Sequence, residues 1–143
     1  MKRLVGLFLV ITMLLLLSAC GGNRLVDIND ELYYEDKDLS FTTEKAEYST
    51  DVKEIKYTIT NVSSGEGVVS GDQHFELQYK TDDGWKMVCY KKDVAFNDFA
   101  LILKPNQSVN YTIDLEEYYN LPLKAGEYRL TDEYLVSKTF KIK

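Results

Sequence analysis

The chain holds two cysteines and a single histidine, so the thiols of Cys20 and Cys89 and the imidazole of His74 are its only ready-made nucleophiles and proton carriers near neutral pH. A thiol–imidazole pair is the smallest covalent catalyst, and it needs both side chains on one accessible face. The alternation in Phe75-Glu76-Leu77-Gln78-Tyr79-Lys80 and Trp85-Lys86-Met87-Val88-Cys89-Tyr90 argues against one. Cys89 shares a face with Trp85 and Met87, which the pattern predicts to be buried, while His74 falls opposite Phe75. Cys89 is therefore expected to be a small buried hydrophobe. A Ser–His pair would have the same lone base and lacks a nucleophile-elbow motif. A structural zinc wants four Cys or His ligands. The nearest approach to a calcium loop, Thr81-Asp82-Asp83-Gly84, is better explained as a turn. No catalytic residue, no metal and no cofactor is expected.

Cys20 is a different kind of residue. The chain starts Met1-Lys2-Arg3 and runs from Leu4 to Leu17 with Thr12 as its clear polar interruption. A basic start, a short apolar stretch and small residues after it make a secretory signal over 1–19, and the run is shorter than the ~20 residues a span needs. Its end, Leu17-Ser18-Ala19-Cys20, resembles the lipobox of bacterial lipoproteins. The resemblance implies cleavage between Ala19 and Cys20 and a diacylglyceryl group on the Cys20 thiol. Burying acyl CH₂ groups is worth ~0.8 kcal/mol each, and two chains anchor stably where one does not. The expected location is the outer face of a bacterial cell membrane, held through diacylglyceryl-Cys20 in the lipid bilayer.

Residues 20–38 then read as an acidic tether, with Asp27, Asp30, Glu31, Glu35, Asp36 and Asp38. Leu25, Val26, Leu32, Tyr33 and Tyr34 within it have the character to dock on a domain. Free, the segment would reach about 65 Å extended and average roughly 25 Å as a coil. With 17 basic against 23 acidic residues the chain is net negative. That charge disfavours nucleic acid and anionic headgroups as partners.

From Leu39 to the end the pattern is all-β. Ile55-Lys56-Tyr57-Thr58-Ile59-Thr60 and Val109-Asn110-Tyr111-Thr112-Ile113 alternate cleanly, as do the two segments around the candidate thiol. Glu127–Leu130 and Val136–Ile142 complete the set. Segments 75–81 and 85–90 form a hairpin, for which a three-residue loop keeps the apolar faces together, Tyr79 opposite Met87 and Leu77 opposite Cys89. Asp114-Leu115-Glu116-Glu117 predicts one capped helical turn that Pro122 stops. Of the eleven tyrosines, Tyr57, Tyr79, Tyr111 and Tyr128 fall on core faces, and Tyr118–Tyr119 is a candidate exposed contact surface. The loop 61–72 and the segment 91–104, whose alternation slips at Asn97-Asp98, are candidate recognition elements. The Asn-x-Ser/Thr triplets at Asn61, Asn106 and Asn110 are read as chance.

Ala125-Gly126-Glu127-Tyr128-Arg129-Leu130 resembles the tyrosine corner of immunoglobulin-like domains. Together with residues 42–63, 75–88, 103–115 and 121–130, it makes 39–143 similar to a bacterial Ig-like domain of Gram-positive surface lipoproteins. The resemblance implies a two-sheet antiparallel β-sandwich with Tyr128 as the corner residue, and Leu130 standing where antibody domains have their second cysteine. It supplies no catalytic residues. The expectation is a non-catalytic interaction module binding a surface protein or wall component; an inhibitor or accessory subunit of an exported enzyme, such as a protease, is the alternative.

Overall fold

The computed structural model describes residues 22–71 and 73–143, and places the alternating segments in two facing β-sheets and a separate two-stranded one. The strands are β1 (Leu25–Asp27), β2 (Leu39–Thr43), β3 (Glu47–Tyr48), β4 (Glu54–Asn61), β5 (Gly67–Ser70), β6 (Phe75–Thr81), β7 (Gly84–Val88), β8 (Ala100–Leu103), β9 (Ser108–Asp114), β10 (Gly126–Asp132), β11 (Leu135–Val136) and β12 (Phe140–Ile142). One sheet has the order β1-β7-β6-β10-β12-β3, with β11 also on β10. The sheet facing it is β2-β4-β9, and the two-stranded one is β5-β8. Pairings are antiparallel except β12 on β3. Inward residues of both sheets interdigitate: Phe41, Ile55, Tyr57, Ile59 and Ile113 face Phe75, Leu77, Leu130 and Phe140, all nearly or fully buried. The architecture is the expected all-β sandwich.

The loop 61–72 is not an open loop. β4 pairs with β9 up to Thr60↔Ser108, and β5 resumes the pairing with β8 at Gly67↔Leu103. The two form one ribbon, bent at 62–66 and 104–107 as it leaves the second sheet. Asn61, fully buried, pins the bend. Its Nδ2 donates to Gly65 O (2.7 Å) and Leu103 O (2.8 Å), and its Oδ1 accepts from Ser63 N (2.9 Å) and Ser63 Oγ (2.8 Å).

The hairpin does not take the three-residue loop with Tyr79 opposite Met87. Thr81 pairs with Gly84 and Tyr79 with Lys86, leaving Asp82-Asp83 as a two-residue loop. Gly84 does adopt a positive φ of 116°. The phase is reversed because β7 is covered on both sides, so burial does not select one face. Val88 points into the core, while Trp85 and Met87 share the outer face with Lys80 and Gln78. There Trp85 meets Arg129, whose guanidinium carbon lies 4.5 Å from the indole centroid and 5.6 Å from that of Tyr33. Arg129 Nε donates to Gln78 Oε1 (2.7 Å), and its other end pairs with Asp30. A second, polar packing layer thus sits outside the sheet, over the fully buried Gln78.

The covering element is the segment expected to be a tether. From Asn23 on it is docked. Asn23 clamps Asn120 with reciprocal 2.8 Å bonds, and Cys89 N donates to Arg24 O. β1 extends the sheet edge on β7, a 3₁₀ turn at Asp30–Leu32 crosses the outer face, and Tyr34 bridges to Leu135. Asp27, Glu31, Glu35 and Asp38 are exposed, Asp30 is turned to Arg129, and Leu25, Val26 and Tyr33 are half-buried. Composition alone had favoured a free chain; these apolar residues and the exposed edge of β7 outweigh it.

The helical turn is α1 (Leu115–Tyr118), with Glu117 N donating to the Asp114 side chain at 3.0 Å. Tyr128 Oη donates to Lys124 O at 2.7 Å, the bond expected of a tyrosine corner.

Candidate functional site

Where the ribbon β5–β8, the β10–β11 turn and the docked N-terminal segment meet, four distant stretches of chain surround a cleft of about 580 Å³. Its walls are Tyr33 from the docked segment, His74 and Glu76 at the start of β6, Phe96 and Asp98 from the irregular stretch before β8, and Glu133-Tyr134 in the turn. Beside it a smaller pocket of about 130 Å³ adds Tyr34, Val68, Phe99 and Asp132. Tyr34, Val68, Phe99 and Tyr134 are each more than half exposed, unusual for side chains of this size gathered in one place. Val68 is directly opposite Ile102 on the ribbon, which is exposed as well.

Local geometry explains why these side chains stand out. The turn from β10 to β11 is only Glu133-Tyr134, with Glu133 at φ 53°, so the Tyr134 ring projects from the tip. It meets Tyr33 edge-on at 5.9 Å. Tyr33 Oη donates to Glu76 Oε2 at 2.9 Å, and burial with the neighbouring Glu76 carboxylate raises the phenol pKa well above the usual range. His74 stacks on Phe96 at 4.6 Å. Gly71 N donates to Phe99 O at 2.7 Å, and a Cβ on Gly71 would stand 2.2 Å from the Phe99 ring. Glycine there lets the ribbon close against the aromatic wall.

Asp132 sits behind this wall, 4 % exposed. Its Oδ2 accepts from Ser70 N at 3.1 Å, tying β5 to β10, and its Oδ1 has no partner among the described residues. Burial pushes its carboxyl up to about 7, against the lowering effect of the Ser70 bond. With Glu76, Asp98 and Glu133 the cleft is acidic as well as aromatic. That combination suits a ligand presenting a cation next to an apolar surface, since aromatic faces and carboxylates both attract ammonium and guanidinium groups. Among the described residues no group of three His, Cys, Asp or Glu side chains is placed to hold a metal ion.

Most of the residues singled out from sequence lie elsewhere. Ala19 and Cys20 fall outside the described residues. His74 lines the cleft but stacks on Phe96, and Cys89 is on the outer face of the far sheet edge beside Arg24 and Lys92. Cys89 is half-exposed rather than buried, because the hairpin register turns its face outward. Tyr118–Tyr119 is no exposed pair: Tyr119 is 1 % exposed and its Oη accepts from Leu77 N at 3.2 Å, inside the core. Tyr118 packs edge-on against Phe75, with Lys92 over its ring. Asp82 and Asp83 are turn residues. The two segments marked as recognition elements, 61–72 and 91–104, do contribute Val68, Phe96, Asp98 and Phe99. Sequence reading missed their meeting with Tyr33, Tyr34 and the 133–134 turn; exposed aromatics flanked by acids were the available signal.

Among the described residues no helix is long and apolar enough to cross a membrane. Residues 35–142 match the bacterial Ig-like domain family. Solved structures sharing part of the chain path include a β-glucosidase from Erythrobacter marinus (13 % identity, TM-score 0.41, 73 % of this chain and 15 % of that one). A β-glucosidase from Listeria innocua is similar at 20 % identity and TM-score 0.38, over 73 % of this chain and 16 % of that one. An alkylpurine DNA glycosylase from Pseudomonas fluorescens, bound to DNA with an abasic-site analogue, is similar at 9 % identity and TM-score 0.41, over 76 % of this chain and 31 % of that one. The chain thus spans a small part of each of these proteins. No curated protein matches it.

Proposed function

The chain belongs to the bacterial Ig-like domain family, and we infer from its surface that it works as a lipid-anchored extracytoplasmic module that grips a basic segment of a partner protein. Domains of this family are generally non-catalytic interaction modules. The observation that carries the reading is the cleft at the β10–β11 turn, where exposed Tyr34, Phe99 and Tyr134 stand among Glu76, Asp98 and Glu133. Rings of this kind give contact area at little entropic cost, and the carboxylates select for cationic partners. The anchor in this reading is diacylglyceryl-Cys20, on the outer face of the cell membrane, supported by the Leu17-Ser18-Ala19-Cys20 sequence.

Two experiments separate the parts. Metabolic labelling with an alkyne fatty acid tests the anchor: label that persists in Cys20→Ala refutes it. Crosslinking on intact cells tests the grip. A partner captured by the native chain should be lost from Asp98→Lys and Tyr134→Ala, and capture unchanged in both variants refutes the cleft. A stoichiometric exported protease among the captured proteins would make the module an inhibitor or accessory subunit.

A further inference from the structure

We propose that the domain lies on the bilayer with one fixed face, the apolar cleft beside Gly22, and that its partner cleft consequently points away from the membrane. This orientation rests on acylation of Cys20. The first observation is where the docked chain begins. Asn23 is clamped to Asn120, Arg24 O accepts from Cys89 N, and β1 is laddered to β7, so the chain is held from Asn23 onward. Cys20 is two residues before Gly22. Two peptide units span at most about 8 Å. A lipid on Cys20 therefore brings the headgroup layer to the domain surface at Gly22, where a free 19-residue tether would have let it stand anywhere within about 65 Å.

The second observation is what that surface is made of. Gly22 lines a cleft of about 390 Å³ whose other walls include Leu25, Tyr79, Val88, Leu123 and Tyr128. Pro122 and Lys124 stand at its exposed rim, and the Lys124 ammonium lies 5.0 Å from the Tyr79 ring centroid. Tyr79 and Tyr128 are buried in its floor, so what the cleft presents is its rim, where a lysine stem covering apolar surface tolerates the membrane–water boundary. Among the described residues no carboxylate lines this cleft, whereas the partner cleft is lined by several. Along β6, Tyr79 of one cleft and Glu76 of the other are three positions apart, about 10 Å, and their side chains leave opposite faces of the sheet.

The acidic body is repelled by anionic lipid, so the contact follows from the short lead and not from an affinity of the domain itself. The acylated mature chain, carrying Cys89→Ser and one introduced cysteine labelled with a small fluorophore, would be placed in phosphatidylcholine vesicles containing headgroup-quencher lipid. The label at Lys124→Cys should be quenched several-fold more than the label at Tyr134→Cys. Equal quenching, or stronger quenching at 134, with Cys20 shown acylated by mass spectrometry, overturns the orientation alone. An unacylated Cys20 overturns the anchor and the orientation with it. A fifteen-residue Gly-Ser insertion after Gly22 should erase the contrast, and a contrast that survives it refutes the argument from the short lead.

Discussion

Replacing Asn61 by alanine tests whether one amide holds the sheet-switching bend. The side chain makes four hydrogen bonds and is fully buried. Ser63 and Gly65 lie toward solvent, so water can take over their share, and losing those bonds costs about 0.5–1 kcal/mol each. Leu103 is buried, and its carbonyl would be left without the amide donor, at a cost of about 1–3 kcal/mol. The missing amide also leaves a void beside Leu39 and Gly67. The expected loss is about 3 kcal/mol, or roughly 10 °C in Tm for a domain of this size. Urea unfolding followed by Trp85 fluorescence measures it, with an unchanged slope expected. Ser63→Ala removes a bond on the solvent side of the bend and should cost less than about 1 kcal/mol. If Asn61→Ala falls within 1 kcal/mol of the native chain, or costs no more than Ser63→Ala, the amide is not what fixes the bend.

Asp132, with its carboxyl raised to about 7 by burial, is protonated in the folded chain where the unfolded chain has already ionised. Its contribution is therefore most favourable below the ordinary carboxylate pKa and is lost as pH rises through about 7. Asp132→Asn should be neutral at pH 4 and stabilising by roughly 1–3 kcal/mol at pH 8, as read from denaturation at the two pH values. Arg129→Lys gives up the planar stack between Trp85 and Tyr33 and the bond to Gln78; it should lower stability by about 2 kcal/mol and open residues 24–38 to limited proteolysis before the rest of the chain. Tyr128→Phe removes the corner bond to Lys124 O and should cost about 1 kcal/mol in the same unfolding assay.

Alternation made the strands legible because the second sheet has one wet face, where Thr58 bonds Asn110 and Thr60 bonds Ser108. It failed for β7, where Trp85 and Met87 are covered outside and Val88 inside, so either phase looked buried. The capped turn at Asp114 and the corner at Tyr128 were readable since each is a contact within four residues. The docking of residues 23–38 was legible only in its apolar residues, because its place depends on Arg129 and on an open sheet edge that composition does not reveal. The cleft was half legible: its loops were marked, but their convergence on Glu133-Tyr134 is a property of the folded ribbon. For Asn61, the Asn-Val-Ser triplet carried no hint that its nitrogen is spent on two carbonyls.

The docked segment has a mechanical consequence. A pull on the N-terminus meets first the Asn23–Asn120 clamp and the three-residue ladder of β1, then the Asp30–Arg129 pair, and only afterwards the core. Peeling residues 23–37 would pay out about 50 Å of slack before the sandwich bore any load. The same peeling withdraws Tyr33 and Tyr34, two rings of the cleft wall. If the chain is anchored through Cys20 and grips a partner at this cleft, as proposed, tension between the two would loosen the grip and leave the domain folded, and the strap would act as a release catch that resets when the load is gone.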